Sequence, residues 1–153
     1  MSRLFEAIRA EEISEVQHIL DQHPELLNIK DQRGSTPLLL ASYYGLEAIT
    51  KLILSYNPDI DAQDASGNTA LMGVCFKGYH SIAALLIERG ANVNITNFSN
   101  ATALIYAATF SQKEIIKLLL QNDADITIKD IHGNTAEMHA KKQGLNFDDL
   151  LVH

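Results

Sequence analysis

A single cysteine, Cys75, stands among 153 residues, which excludes an internal disulfide and any multi-cysteine zinc module. No run of about 18 apolar residues occurs, so no segment reads as a membrane-spanning helix. The N-terminus, MSRLFEAIRAEE, turns acidic within a dozen residues and lacks the apolar stretch and cleavage site of a secretory signal. These absences predict a cytoplasmic protein. Basic residues are scarce as well: 12 Lys and Arg against 19 Asp and Glu give a net charge of −7. A chain of that sign is a poor general binder of a phosphate backbone. What is present is a globular balance, 46% hydrophobic and 20% charged, in a length suited to one domain. Such a chain can bury about 70% of its unfolded surface without a staple.

The motifs of chemistry are missing too. There is no G-x-S-x-G and no phosphate-cradling glycine loop. The six histidines, His18, His23, His80, His132, His139 and His153, show none of the paired spacings of a metal site. They read as solvated or hydrogen-bonded side chains, and neither a metal nor another cofactor is expected. Cys75 adjoins a column of small residues, which predicts a buried, inert thiol rather than a nucleophile. No catalysis is expected.

What dominates the chain is a repeat. DQRGSTPLLLASYYG, DASGNTALMGVCFKG, NFSNATALIYAATFS and DIHGNTAEMHAKKQG begin at Asp31, Asp64, Asn97 and Asp130, each 33 residues after the last. The same register aligns Thr36, Thr69, Thr102 and Thr135, and also Leu52, Leu85, Leu118 and Leu151. A gapless period of this length means stacked units of about one helical hairpin, none able to bury its apolar face alone. The recurring turn acids Asp31, Asp64 and Asp130 therefore read as turn formers.

One unit shows why it folds. Thr36-Pro37 is a helix start: the hydroxyl can accept from a free N–H, and proline at the first helical position forfeits no bond. Leu38, Ala41 and Ser42 form the packed stripe of a short helix. Gly45 ends it at a tight turn. Ile49, Leu52 and Ile53 give the stripe of a second helix, which Asn57-Pro58 stops.

The 33-residue period, the D-x-x-G-x-T-P-L opening (complete at Asp31, Gly34, Thr36, Pro37 and Leu38) and the G-A-x-V-N ending (Gly90, Ala91, Val93, Asn94) resemble the ankyrin repeat family. The resemblance covers essentially the whole chain. It implies an all-α ankyrin repeat solenoid of stacked helix-turn-helix units with extended turns, about five repeats in one domain. Residues 1–30 make the N-terminal cap, 31–63, 64–96 and 97–129 the full repeats, and 130–153 the C-terminal cap. Helices are expected near 36–43 and 47–55, 69–76 and 80–88, and 102–109 and 113–121. Polar residues such as Lys141, Lys142, Asp148 and Asp149 suit the last unit to a wet outer face, and the solenoid reads as complete.

Departures from the family pattern carry expectations of their own. Leu39, Met72, Ile105 and Met138 stand where the family usually has histidine, which predicts apolar packing in place of a hydrogen-bond network between repeats. Asn100 and Ser111 replace glycines of the sibling repeats, marking 97–129 as the most divergent.

In ankyrin proteins, partners are usually held by the turn tips and the exposed flank of each first helix, which line the concave side. Those positions carry none of the 19 acids but six of the 12 bases here, and half of the ten aromatics. Aromatics and arginine dominate binding hot spots. Arg33, Tyr43, Tyr44, Phe76, Lys77, Phe98, Phe110 and His132 are the candidate partner-binding residues. Against this, the rings of Phe76 and Phe98 could instead tuck under neighbouring repeats; Tyr43 and Tyr44, adjacent on a helix, cannot both point inward. The resemblance and this face imply a non-catalytic protein-binding module for a partner with an acidic, apolar segment. A stoichiometric inhibitor or regulatory partner of a cytosolic enzyme is one alternative. Nucleic-acid binding through the basic face is another, disfavoured by the net charge. No membrane and no small-molecule substrate are expected.

Overall fold

The structure is a computed structural model describing residues 2–151; His153 lies outside the described residues. Among those residues there are ten α-helices and no strand, as the resemblance implies. The first unit pairs α1 (Ser2–Arg9) with α2 (Ile13–Gln22), followed by a short 3-10 turn at Pro24–Leu26. Four more hairpins follow: α3 (Pro37–Tyr43) with α4 (Glu47–Leu54), and α5 (Ala70–Lys77) with α6 (His80–Glu88). Then come α7 (Ala103–Thr109) with α8 (Lys113–Gln121), and α9 (Ala136–Lys142) with α10 (Phe147–Leu151). First helices pack on first helices and second on second, α1 through α9 in one layer and α2 through α10 in the other.

Each first helix starts one residue later than expected, because the threonine is its cap rather than its first turn. Thr36, Thr69 and Thr102 have extended backbones, and each Oγ1 accepts from the amide of Leu39, Met72 or Ile105 at 3.2 Å. The stacked core follows the period. Leu38, Leu71 and Leu104 repeat within it, as do Ile53, Leu86 and Leu119. Each is worth roughly 1.5–3 kcal/mol on full burial. Ala41, Val74, Ala107 and Ala140 have no exposed surface, so the helices approach closely along a small-residue column. Cys75 beside it is fully buried, and burial pushes its thiol far above the ordinary range. It forms no useful thiolate.

The turn acids do what their recurrence suggests. Oδ1 of Asp31, Asp64, Asn97 and Asp130 each accepts two backbone N–H bonds, from residues two and four positions on, at 2.9–3.0 Å. Tips are then tied tip to tip: Ala65 N donates to Arg33 O, Phe98 N to Ser66 O and Ile131 N to Ser99 O.

One expectation needs correction and another needs an addition. Leu39, Met72 and Ile105 are buried, but apolar packing has not displaced inter-repeat hydrogen bonding. A second ladder runs along the other edge: Asn28, Asp61 and Asn94 accept from the amides of Asp59, Asn92 and Asp125 at 2.8, 3.0 and 2.7 Å. Polar stitching has moved from the missing histidines to the loops. In the last unit Lys141, Lys142, Asp148 and Asp149 are exposed, as expected, but apolar residues share that surface. Met138 is 44% exposed, at a register position that is buried at Leu39, Met72 and Ile105, and Ile131 and Leu151 of the same unit are exposed as well.

Asn100 and Ser111 do adopt the left-handed backbone of the glycines they replace, with φ of 56° and 58°.

Candidate partner-binding face

The period places aromatic residues at the C-terminal ends of successive first helices, and the stacking distance brings them into contact. Tyr43 lies parallel to Phe76, ring centroids 6.5 Å apart at 3°. Phe76 meets Phe110 edge-on at 4.8 Å, and Tyr106 at 6.4 Å. Tyr44 meets the edge of Tyr43 at 5.7 Å. The result is one aromatic row across three repeats. Nζ of Lys77 sits 5.0 Å from the Tyr43 centroid, within reach of a cation–π attraction.

All four row residues that were candidates from the sequence remain exposed, Tyr44 most, at 51%. Phe76 does not vanish under its neighbour, nor does its ring stand free. It packs against other half-exposed rings. Phe98 stands apart at a turn tip, 72% exposed, and is not tucked beneath a neighbouring repeat. Its ring rests on the preceding tip, where a Cβ on Gly67 would fall 2.9 Å from Phe98 Cδ1 and 2.8 Å from its amide nitrogen. Arg33 and His132 occupy exposed tips of the second and last units. Thus Tyr43, Tyr44, Phe76, Lys77 and Phe110 are brought together, while Phe98 and His132 are not part of that cluster.

Beside the row, a groove of about 1110 Å³ opens between the first three units. Phe5, Arg9, Arg33, Tyr43, Tyr44 and Gly73 line it. So do Glu6, Asp31 and Asp64, which corrects the expectation that acids are kept off this side. The turn acids were read only as turn formers, yet each has a second carboxylate oxygen. Arg9 is partly engaged, its guanidinium 3.9 Å from Asp31, and Lys30 donates to the Gln63 carbonyl at 2.8 Å. Arg33 and Lys77 make no ion pair among the described residues. The sequence reading gives Gly73 and Tyr106 no role, and His139 none beyond a solvated or hydrogen-bonded side chain. They share one register position on the inner helices, and comparing that column was the available signal.

The described residues contain no group of three or more His, Cys, Asp or Glu placed to hold a metal ion. No helix among them is long and apolar enough to cross a membrane. The arrangement offers shape, rings and charge for recognition.

Comparison with curated proteins finds no match. A family model described as ankyrin repeats (3 copies) matches residues 4–97 and, in a second overlapping register, 38–130. With most of its length matched and every hairpin in the expected register, the chain belongs to the ankyrin repeat family, whose repeats are in general protein–protein interaction modules.

Proposed function

We propose that this protein is a non-catalytic module that holds a partner protein on its concave face, acting in the cytoplasm. The aromatic row of Tyr44, Tyr43, Phe76 and Phe110 carries this reading. Rings half exposed to water give up that area when a partner covers them, and Tyr and Arg are the residue types on which interface energy concentrates. Arg33 and Lys77 flank the row without an internal carboxylate, which favours a partner segment with acids beside apolar anchors. A segment seated there is occluded from its own ligands, so binding alone suffices to regulate an enzyme.

The test is the double variant Tyr44→Ala, Phe110→Ala against the partner captured by the wild-type chain. Affinity should fall by about 2 kcal/mol or more, the hot-spot range. Unchanged affinity in a folded double variant sinks the assignment of the face.

A further inference from the structure

The four turns opened by Asp31, Asp64, Asn97 and Asp130 use Oδ1 identically, so the second side-chain atom of each is directed the same way. In two repeats that atom meets the residue nine positions on. Nδ2 of Asn97 donates to the Tyr106 hydroxyl at 3.0 Å, and Oδ2 of Asp130 lies 2.7 Å from Nε2 of His139. In the repeat opened by Asp31 the equivalent position is Leu40, and Arg9 approaches the carboxylate instead. In the repeat opened by Asp64 the equivalent is Gly73. The Asp64 carboxylate keeps its two turn bonds and has no cation or further donor among the described residues.

The backbone does not demand glycine at 73. It lies inside α5 with no positive φ, and a Cβ there would meet one neighbour, the ring atom Tyr43 Cδ1, at a tight 3.3 Å, so that the ring would have to give by a few tenths of an ångström. Glycine is the poorest helix former after proline. What it leaves is a recess in the groove, with Tyr43 beside it and Asp64 within the same lining.

We propose that this recess is a subsite for an arginine side chain of the partner. The guanidinium takes the place at the Asp64 carboxylate that Tyr106 and His139 fill in the sibling repeats. A planar guanidinium makes charge-assisted bonds to a carboxylate and stacks on an aromatic face. Tyr43 already attracts one cation, the ammonium of Lys77. None of the groove's own bases is paired with Asp64: Arg9 lies toward Asp31, Lys30 is bonded to a carbonyl, and Arg33 makes no ion pair among the described residues. The subsite rests on the concave face being the binding face, and adds one cation to the acidic, apolar segment proposed for it.

The experiment titrates the ¹⁵N-labelled full chain with N-acetyl-arginine amide, and in parallel with N-acetyl-citrulline amide, its uncharged isostere. Arginine should shift the amides of Gly73, Ser66 and Asn68 saturably, with citrulline roughly tenfold weaker. Asp64→Asn should abolish the difference while leaving the turn intact, because Asn97 makes the same turn bonds in this chain. Gly73→His copies the last repeat and should block the probe by tying up Asp64 internally. Shifts spread over the whole acidic surface, equal affinity for citrulline, or wild-type binding by Asp64→Asn each overturn the subsite. If the probe fails while Tyr44→Ala, Phe110→Ala still loses the partner, the subsite falls and the face stands. A probe that titrates Gly73 while that double variant keeps its partner supports the subsite and refutes the aromatic face.

Discussion

His139 Nε2 lies 2.7 Å from Asp130 Oδ2, joining a helix to the turn that precedes it, with only 17% and 10% of the two side chains exposed. Burial by itself raises the Asp130 carboxyl. The hydrogen bonds from His139 and from the amides of Asn134 and His132, with the His139 charge, outweigh it and hold the group below the ordinary carboxylate range. A folded-state value below the unfolded one stabilises the protein above the unfolded value, about 3.9. That contribution is lost as pH falls through the depressed folded value. Asp130→Asn keeps an Oδ1 acceptor for the turn, removes the charge, and turns the atom facing His139 from an acceptor into an amide donor. The stability difference between wild type and Asp130→Asn, measured by urea unfolding, should be full at neutral pH, begin to shrink as pH falls toward about 4, and vanish only below the depressed folded value. A difference independent of pH contradicts the assignment.

Thr50 presents the opposite situation. Its Oγ1 is buried in α4 without a hydrogen-bond partner among the described residues, whereas Thr109 Oγ1 donates to the Ile105 carbonyl at 2.7 Å. The sibling positions are Ala83 and Ile116, both fully buried and apolar. A buried unsatisfied hydroxyl costs about 1–3 kcal/mol. Thr50→Val keeps the shape and replaces the hydroxyl with a methyl. It should raise the urea midpoint by an amount equivalent to about 1 kcal/mol at unchanged m, while Thr50→Ser should give no gain.

Ser111 sits at φ 58° where Gly45, Gly78 and Gly144 serve in other units. A left-handed backbone crowds Cβ against the carbonyl and costs roughly 1 kcal/mol for serine, less for the Asn100 that opens the same repeat. Ser111→Gly should stabilise by about 0.5–1 kcal/mol, and Asn100→Gly by less. In the wild type the amides of 97–129 should exchange faster than those of 64–96. Equal protection in the two repeats removes the strain argument.

The architecture was legible because each repeat solves one packing problem and must solve it at the same positions. Thr36, Leu38, Ala41 and Gly45 announce a helix, its cap and its end, and their recurrence gives the register. Less legible was anything set by the distance between repeats. That Tyr43 and Phe76 share a helical position is visible at once; that their rings lie parallel depends on how closely α3 and α5 stack. The left-handed backbones of Asn57 and Asp123 are signalled in the sequence only by Gly90, which stands between them in the same column. Gly73 looked like an ordinary small residue. Its meaning comes from the turn residue's second side-chain atom, which Asn97 and Asp130 pair with the residue nine positions on and Asp64 cannot pair with a glycine.

The aromatic residues should separate into those that hold repeats together and those that only face outward. Phe76 touches Tyr43, Phe110 and Tyr106, and aromatic pairs add about 0.5–1.5 kcal/mol each beyond area. Phe76→Ala should therefore destabilise by about 1–3 kcal/mol. Phe110→Ala removes one edge contact at 4.8 Å and should cost about 1 kcal/mol, more than a freely solvated ring would. Tyr44→Ala should cost less, and Phe98→Ala, with 72% of its residue surface exposed, should stay within about 0.5 kcal/mol of wild type. Thermal unfolding ranks the four. Lys77→Glu loses its contact with Tyr43 and reverses a charge on the proposed face, so partner association should slow, and the deficit should shrink as salt rises. If Phe98→Ala melts as far below wild type as Phe76→Ala, the distinction between stacked and free rings fails. A Lys77→Glu effect confined to dissociation and indifferent to salt would place the partner away from this end of α5.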